Sequence, residues 1–282
     1  MQKQEDSIGP ASSVRIGLQL WCAHSADLLD LRIEQTCVAV LSDDERDRAS
    51  RFRFDRHRLE YIAAHALVRN ALAHHRSLPP EAWRFCVNKH GKPSPESACD
   101  LQFNLSTCEQ LVVCLVAQGR DVGVDAEPLT RGEEIARQKA DFFSPAEREQ
   151  LDQLYGAAQL DRAVSLWVLK EAYTKARGLG LTLPLQKMTF LYGDKEGIRL
   201  NTEPEIGNDS SMWRFTLVDH AEHRIAVVTS VFSGILENDE RRVESLELTV
   251  CEARPPLNDP VRIGQPSTEW FPRAYGGSGN LL

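Results

Sequence analysis

The sequence contains no CxxC pair and no Cys/His spacing of the kind that builds a zinc site. Its seven cysteines, at 22, 37, 86, 99, 108, 114 and 251, are odd in number and irregularly spaced. That usage fits reduced thiols in a cytoplasm and argues against a disulfide framework. Long apolar runs are also missing. The longest, such as "LVVCLVA", are far too short to span a bilayer. The opening "MQKQEDSIGP" has no apolar core of a secretory signal. Excess positive charge is absent too: the net charge is −8, which argues against a general nucleic-acid binder. No Ser-His-Asp or Cys-His arrangement presents itself along the chain.

What remains is ordinary soluble-protein material, with 42% hydrophobic and 26% charged residues over 282 positions. That length suffices for one large domain or two modest ones. "VRIGLQLWCA" reads as a first strand. "LSDDERDRASRF" starts a helix, with Ser42 as cap and Glu45 as its capping-box partner. "RLEYIAAHALVRNALAHH" carries apolar residues at helical spacing, among them Leu59, Ile62, Ala63, Ala66, Leu67 and Ala71. "WRFCVNKHGKPS" reads as a strand and a turn, and the stretch from "LQFNLSTC" to "VGVDAE" as strands with short turns. The second half repeats this grammar. "SPAEREQLDQLY" is capped by Ser144 with Glu147 three residues on, and "RAVSLWVLKEAYTKARG" is a longer helix ended by Gly178. "MTFLYGDKEGIRL", "WRFTLVDH" and "HRIAVVTSVF" read as strands. The expected fold is α+β, with two similar lobes of antiparallel-looking strands and helices at 14–120 and 121–234. From 235 to 282 the chain turns charged and then rich in Pro and Gly, which reads as an appended, partly disordered tail.

Several stretches carry chemistry. In "VGVDAEP", Asp125 and Glu127 stand at i and i+2, on one face of a continuing strand. Hard oxygen ligands there suit Mg²⁺, which uses one or two carboxylates plus substrate phosphates; the plain alternative is a pair of solvated turn acids. On the helical period Trp167, Glu171 and Lys175 share a face, with Lys170 beside them. Glu171 is either a surface partner of a lysine or a third carboxylate for the metal, with Lys175 reaching a phosphate. Six arginines crowd between Arg46 and Arg58, either a solvated face or a phosphate-binding one. Arg69 follows the apolar "AHALV" and is expected at the edge of a core. Lys89 and Lys92 flank Gly91 in a turn able to present an ammonium to an anion. Ser106 and Thr107 in "FNLSTCEQ" offer hydroxyls for a phosphate, or make an ST-turn. Glu147 is explained by its capping box.

Taken in order, "FRFDRHRLEYIAAHALVR", "HGKP", "FNLST", "VGVDAE", "FFSPAE" and "WVLKEAYTKARGLGLTLPL" make the chain resemble the 4′-phosphopantetheinyl transferases of the surfactin-synthetase-activating type. The resemblance covers about residues 42 to 190, and the pair VGVDAE…WxxKEAxxKxxGxGL is its most specific part. It implies a cytoplasmic, Mg²⁺-dependent holo-[acyl-carrier-protein] synthase moving phosphopantetheine from coenzyme A onto a carrier-protein serine. It implies a pseudo-twofold pair of α+β lobes with coenzyme A in the cleft. Asp125, Glu127 and Glu171 match the metal carboxylates, and Asp125, Glu171 and Lys175 the catalytic groups. Lys175 matches a pyrophosphate contact, Arg56, Arg69 and Lys92 the positions holding the 3′-phosphate and adenosine end, and Lys170 belongs to the same motif. Ser106 and Thr107 fall where the family usually reads Ser-His, its His touching the coenzyme A phosphates; this chain has Thr107 there, without a positive charge. Two other functions share the signals: a non-catalytic coenzyme A-binding module that docks carriers, and a Mg²⁺-dependent phosphohydrolase. Carrier proteins of this pathway are acidic, so Arg46, Arg48, Arg51 and Arg53 are the expected docking face. Two lobes in one chain remove the need for a partner to complete the cleft, so a monomer is expected; the net charge of −8 and the short apolar runs predict no nucleic-acid or membrane partner.

Overall fold

The computed structural model describes residues 15–96, 99–191, 197–207, 210–231, 245–254 and 259–262. In chain order the elements are β1 (Arg15–His24), α1 (Leu31–Ala39), α2 (Asp43–Ser50), α3 (Asp55–His75), β2 (Phe85–Val87), β3 (Pro93–Pro95), β4 (Leu101–Cys108), β5 (Leu111–Gln118) and β6 (Val122–Pro128). There follow α4 (Gly132–Arg137), α5 (Lys139–Phe142), α6 (Pro145–Asp152), α7 (Ala157–Arg177), β7 (Met188–Leu191), β8 (Arg199–Thr202), β9 (Trp213–His220), β10 (His223–Ser230), β11 (Ser245–Arg254) and β12 (Asp259–Arg262).

Two sheets are stacked between two 21-residue helices. The first sheet runs β12-β11-β1-β5-β4, and the second β6-β10-β9. β5 shows why. "LVVCLVAQ" is apolar at both parities, and its first seven residues are buried. Val112, Cys114 and Val116 pack with α3 residues such as Ile62, Ala66 and Leu67. Leu111, Val113, Leu115 and Ala117 point the other way, onto Val122, Val124, Ala126, Ile225 and Val227 of the second sheet. The far face of that sheet, through Ala226 and Val228, packs on Val168, Leu169 and Ala172 of α7. The fold is therefore α+β in the order helix, sheet, sheet, helix, as the pattern of elements predicted.

Both predicted capping boxes form. Ser42 Oγ accepts from Glu45 N–H while Glu45 accepts from Ser42 N–H, and Ser144 and Glu147 do the same for α6. Gly178 ends α7 in the left-handed region at φ 61°. No disulfide joins any of the seven cysteines. Among the described residues no helix is long and apolar enough to cross a membrane.

One expectation needs correction. Part of the 235–282 segment is not a tail: β11 lies parallel to β1, from Arg15↔Ser245 to Cys22↔Glu252. Leu248 and Val250 join the intersheet core, and Cys251 and Ala253 the core under α3. The strand covers an edge of β1 that would otherwise expose unpaired backbone. Its alternation in "SLELTVCEAR" was masked by the charged and Pro/Gly-rich residues around it. The Pro/Gly-rich end beyond residue 262 lies outside the described residues.

Candidate active site

β6 alternates as the sequence requires. Val122, Val124 and Ala126 enter the intersheet core, so Gly123, Asp125 and Glu127 face α7. The contact between strand and helix is close enough to demand glycine. A Cβ on Gly123 would lie 2.0 Å from Ala172 O and 2.5 Å from Ala176 N. This close approach puts two acids of β6 beside the helix face carrying Glu171 and Lys175.

Lys175 Nζ donates to Asp125 Oδ1 at 2.6 Å, to Ser106 Oγ at 3.0 Å and to Leu105 O at 3.4 Å. Ser106 Oγ also donates to Asp125 Oδ1 at 2.8 Å. The other carboxylate oxygen, Asp125 Oδ2, is buried and has no hydrogen-bond partner among the described residues. Glu127 Oε1 accepts from Arg131 Nη1 at 2.6 Å and from Trp167 Nε1 at 3.0 Å. Burial raises Glu127 above the usual carboxylate range, against the opposing hydrogen bond from Arg131. Burial raises Glu171 as well, and the charge of Asp125 adds to it. The Cys108 thiol is pushed up to about 12 by burial and then by Glu127 and Asp125. A concentration of negative charge thus sits at the end of β6.

An open cleft of about 580 Å³ lies beside it. Asp125, Glu127, Lys175, Ser106 and Thr107 form one wall, and Phe52 with one stripe of α3 the other: His57, Glu60, Tyr61, Ala64 and His65. That stripe has the helical spacing i, i+3, i+4, i+7, i+8. The apolar stripe of the same helix (Leu59, Ile62, Ala63, Ala66) was readable; the polar stripe behind it had the same period and was the available signal for His57, Tyr61 and His65.

The residues predicted to bind coenzyme A divide. Thr107 and Ser106 line the cleft, and Arg56 is exposed on the first turn of α3 with Nη2 3.0 Å from His57 Nε2. Arg69 is a correction. It is 1% exposed, bound through Nε to Glu45 Oε2 at 3.0 Å and through Nη1 to Pro80 O and Trp83 O, with Phe85 beneath its guanidinium. It is a core strut, because α3 buries the residue just past "AHALV" instead of leaving it at an edge. Lys170 is a second correction. It is 0% exposed and pairs with Glu147 at 2.8 Å, its remaining donors meeting Leu185 O and Met188 O. Adjacent helical positions differ by about 100°, so Lys170 faces the lobe interior when Glu171 faces β6. Glu147 serves that pair, the capping box and Phe190 N–H together. Lys92 is also committed elsewhere than expected: its Nζ donates to Val122 O at 3.0 Å and Ala176 O at 2.8 Å, and burial lowers its pKa. With Asn88 Nδ2 donating to Gly178 O, it pins the β2–β3 turn to the end of α7. Of the expected docking arginines, Arg46 is held by Leu41 O and Asp43, while Arg48 lies over Tyr61 and Arg53 over Phe54.

Residues 121–228 match the profile of the 4′-phosphopantetheinyl transferase superfamily. A 4′-phosphopantetheinyl transferase, HetI, of Nostoc sp. is 32% identical over 173 residues, covering 60% of this chain and 73% of the relative. A 4′-phosphopantetheinyl transferase of Bacillus subtilis is 33% identical over 164 residues, covering 57% and 70%. The L-aminoadipate-semialdehyde dehydrogenase-phosphopantetheinyl transferase of Xenopus laevis is 26% identical over 237 residues, covering 76% and 75%. The matched profile spans β6 to β10 and so includes Asp125, Glu127, Glu171 and Lys175.

Proposed function

The chain belongs to the 4′-phosphopantetheinyl transferase superfamily, and on that premise we propose that it transfers the 4′-phosphopantetheine arm of coenzyme A to a serine of an apo carrier protein. The observation that carries this reading is the Asp125–Lys175–Ser106 constellation, set beside Glu127 on the wall of one cleft, with Glu171 close enough to feel the charges of Asp125, Glu127 and Lys175. Residues 14–120 and 121–234 are the two lobes on this reading. Both walls of the cleft come from one chain, which suits a monomer, and the cytoplasm is its compartment.

Magnesium fits this donor set. Asp125 Oδ2 is a buried oxygen lacking a partner among the described residues, and burial together with the charge of neighbouring carboxylates raises Glu127 and Glu171. No three His, Cys, Asp or Glu side chains converge into a complete cage among the described residues; an ion that keeps waters and substrate phosphates needs none. Asp125, Glu127 and Glu171 would hold it, and it would neutralise the pyrophosphate charge. The protein's own groups do the rest. Lys175 supplies a donor for a phosphate oxygen, and Ser106 does so when its hydroxyl turns from Asp125. Glu171, raised by burial, accepts the proton of the carrier serine, directly or through water. The serine oxygen bonds to the β-phosphorus as its bond to 3′,5′-ADP breaks. Such chemistry is mainly positioning and charge placement.

The exposed Arg48, Arg51 and Arg53 offer an acidic carrier a basic face on an otherwise acidic protein. The test is mass spectrometry of apo acyl, peptidyl and polyketide carriers incubated with coenzyme A and magnesium. At least one should gain a phosphopantetheine arm, and Asp125→Asn should slow that gain by about 100-fold or more. Failure to modify any carrier would overturn the reading.

A further inference from the structure

The wall formed by α3 contains an oriented imidazole that the transfer chemistry has not used. His65 Nδ1 lies 2.9 Å from Glu45 Oε1. Glu45 is fixed from three other sides. Its Oε2 accepts from Ser42 N–H at 2.8 Å and from Arg69 Nε at 3.0 Å, and Arg69 Nη2 lies 2.9 Å away. The carboxylate therefore accepts a hydrogen bond from Nδ1–H, which fixes the orientation of the ring and leaves Nε2 to the cleft. The ring plane is fixed separately, by Tyr61 at 4.1 Å between centroids. Nε2 has no partner among the described residues. His65 is 32% exposed and lines the same cleft as Ser106, Thr107 and Lys175.

The charge inventory of the cleft gives this nitrogen a task. Glu60, Asp125 and Glu127 line the cleft, whereas Lys175, its ammonium, is already bound to Asp125. A nucleotide phosphate entering there meets more acids than bases, so each fixed donor on the opposite wall counts. We propose that His65, held by Glu45, is a substrate-binding residue that, as the imidazolium with an anion at each ring nitrogen, donates from Nε2–H to a phosphate oxygen of the nucleotide substrate. The inference rests on the transfer reading for the identity of that nucleotide, coenzyme A. It adds to α3 an anion contact other than the arginines, Arg56 and Arg69, that the resemblance implied there.

The two ring nitrogens are separable by amide substitution. The side-chain amide of Asn can replace Nδ1, and that of Gln can replace Nε2. Calorimetric titration of wild type, His65→Ala, His65→Asn and His65→Gln with coenzyme A, in magnesium and without any carrier, reads binding apart from turnover. The Ala and Asn variants should bind about 10-fold more weakly or worse, and Gln within about 3-fold of wild type. Thermal unfolding in parallel reports whether each variant is folded. Asn binding as well as Gln would show that only the Glu45 contact matters and would overturn the proposal. So would unchanged affinity across the series, or no coenzyme A binding by wild type. Wild type that binds coenzyme A but modifies no carrier would overturn the transfer reading alone, leaving the His65 series to decide the binding role.

Discussion

The two walls of the cleft are built on opposite principles. The β6–α7 wall brings its charged groups to the opening: Asp125, Glu127 and Lys175 line it. The α2–α3 wall and its β2–β3 neighbour turn their strongest bases inward, as Arg69 holds Glu45 and two carbonyls and Lys92 holds the chain ends of β6 and α7. What that wall leaves at the opening is aromatic and imidazole, with one carboxylate, Glu60. The lesson is that a basic residue in a suggestive motif can be a strut: burying a guanidinium or ammonium is tolerable only when acceptors surround it, and these have them.

If the contrast is right, breaking struts should cost stability, whereas changing the open groups should cost activity. The largest effect is expected at Lys170→Met, which leaves the Glu147 carboxylate uncompensated at 0% exposure. Urea denaturation should show a loss of about 3–5 kcal/mol, with part recovered in Lys170→Met/Glu147→Gln. An intact protein with normal coenzyme A binding affected only in turnover would return Lys170 to the site. Next is Gly123→Ala, whose Cβ runs into Ala172 O of the helix backbone. About 3 kcal/mol should be lost by the same measurement, together with transfer activity, because the two motifs are pushed apart.

A smaller, pH-dependent effect is expected at Glu45. Burial pushes its pKa up, but hydrogen bonds from His65 and Ser42 and the charge of Arg69 hold it near 2, below the usual value of 4.5. Its contribution is therefore complete above about pH 4.5 and disappears as the pH falls through about 2. Glu45→Gln should cost about 2 kcal/mol at neutral pH and flatten the stability profile between pH 4.5 and 2, followed by circular dichroism. The smallest effect is a gain. The β4–β5 turn holds Glu109 and Gln110 at φ 38° and 71°, where side chains other than Asn, Asp or Gly are strained. Gln110→Gly should raise stability by about 1 kcal/mol, seen as a higher thermal midpoint.

Much of this was written in the chain. Capping boxes at Ser42 and Ser144 are local, four-residue devices, and both form. The alternation of β6 placed Asp125 and Glu127 on one face without reference to anything distant. The period of α7 put Glu171 and Lys175 one turn apart and ended the helix at Gly178. Such features depend on neighbours within a few residues, so spacing alone reveals them.

The rest required residues far apart in sequence to meet. Whether Arg69 binds a ligand or a core carboxylate depends on Glu45, 24 positions earlier, and on carbonyls at 80 and 83. Whether Lys170 faces the cleft or the interior depends on Glu147 from another helix. Whether "SLELTVCEAR" is tail or strand depends on the free edge of β1 some 230 residues before it. Local sequence thus determined the elements, their faces and the acid-bearing motifs. Only tertiary packing decided which charges are neutralised in the interior and which remain at the cleft, since the cost of burying a charge is set by partners brought from elsewhere in the chain.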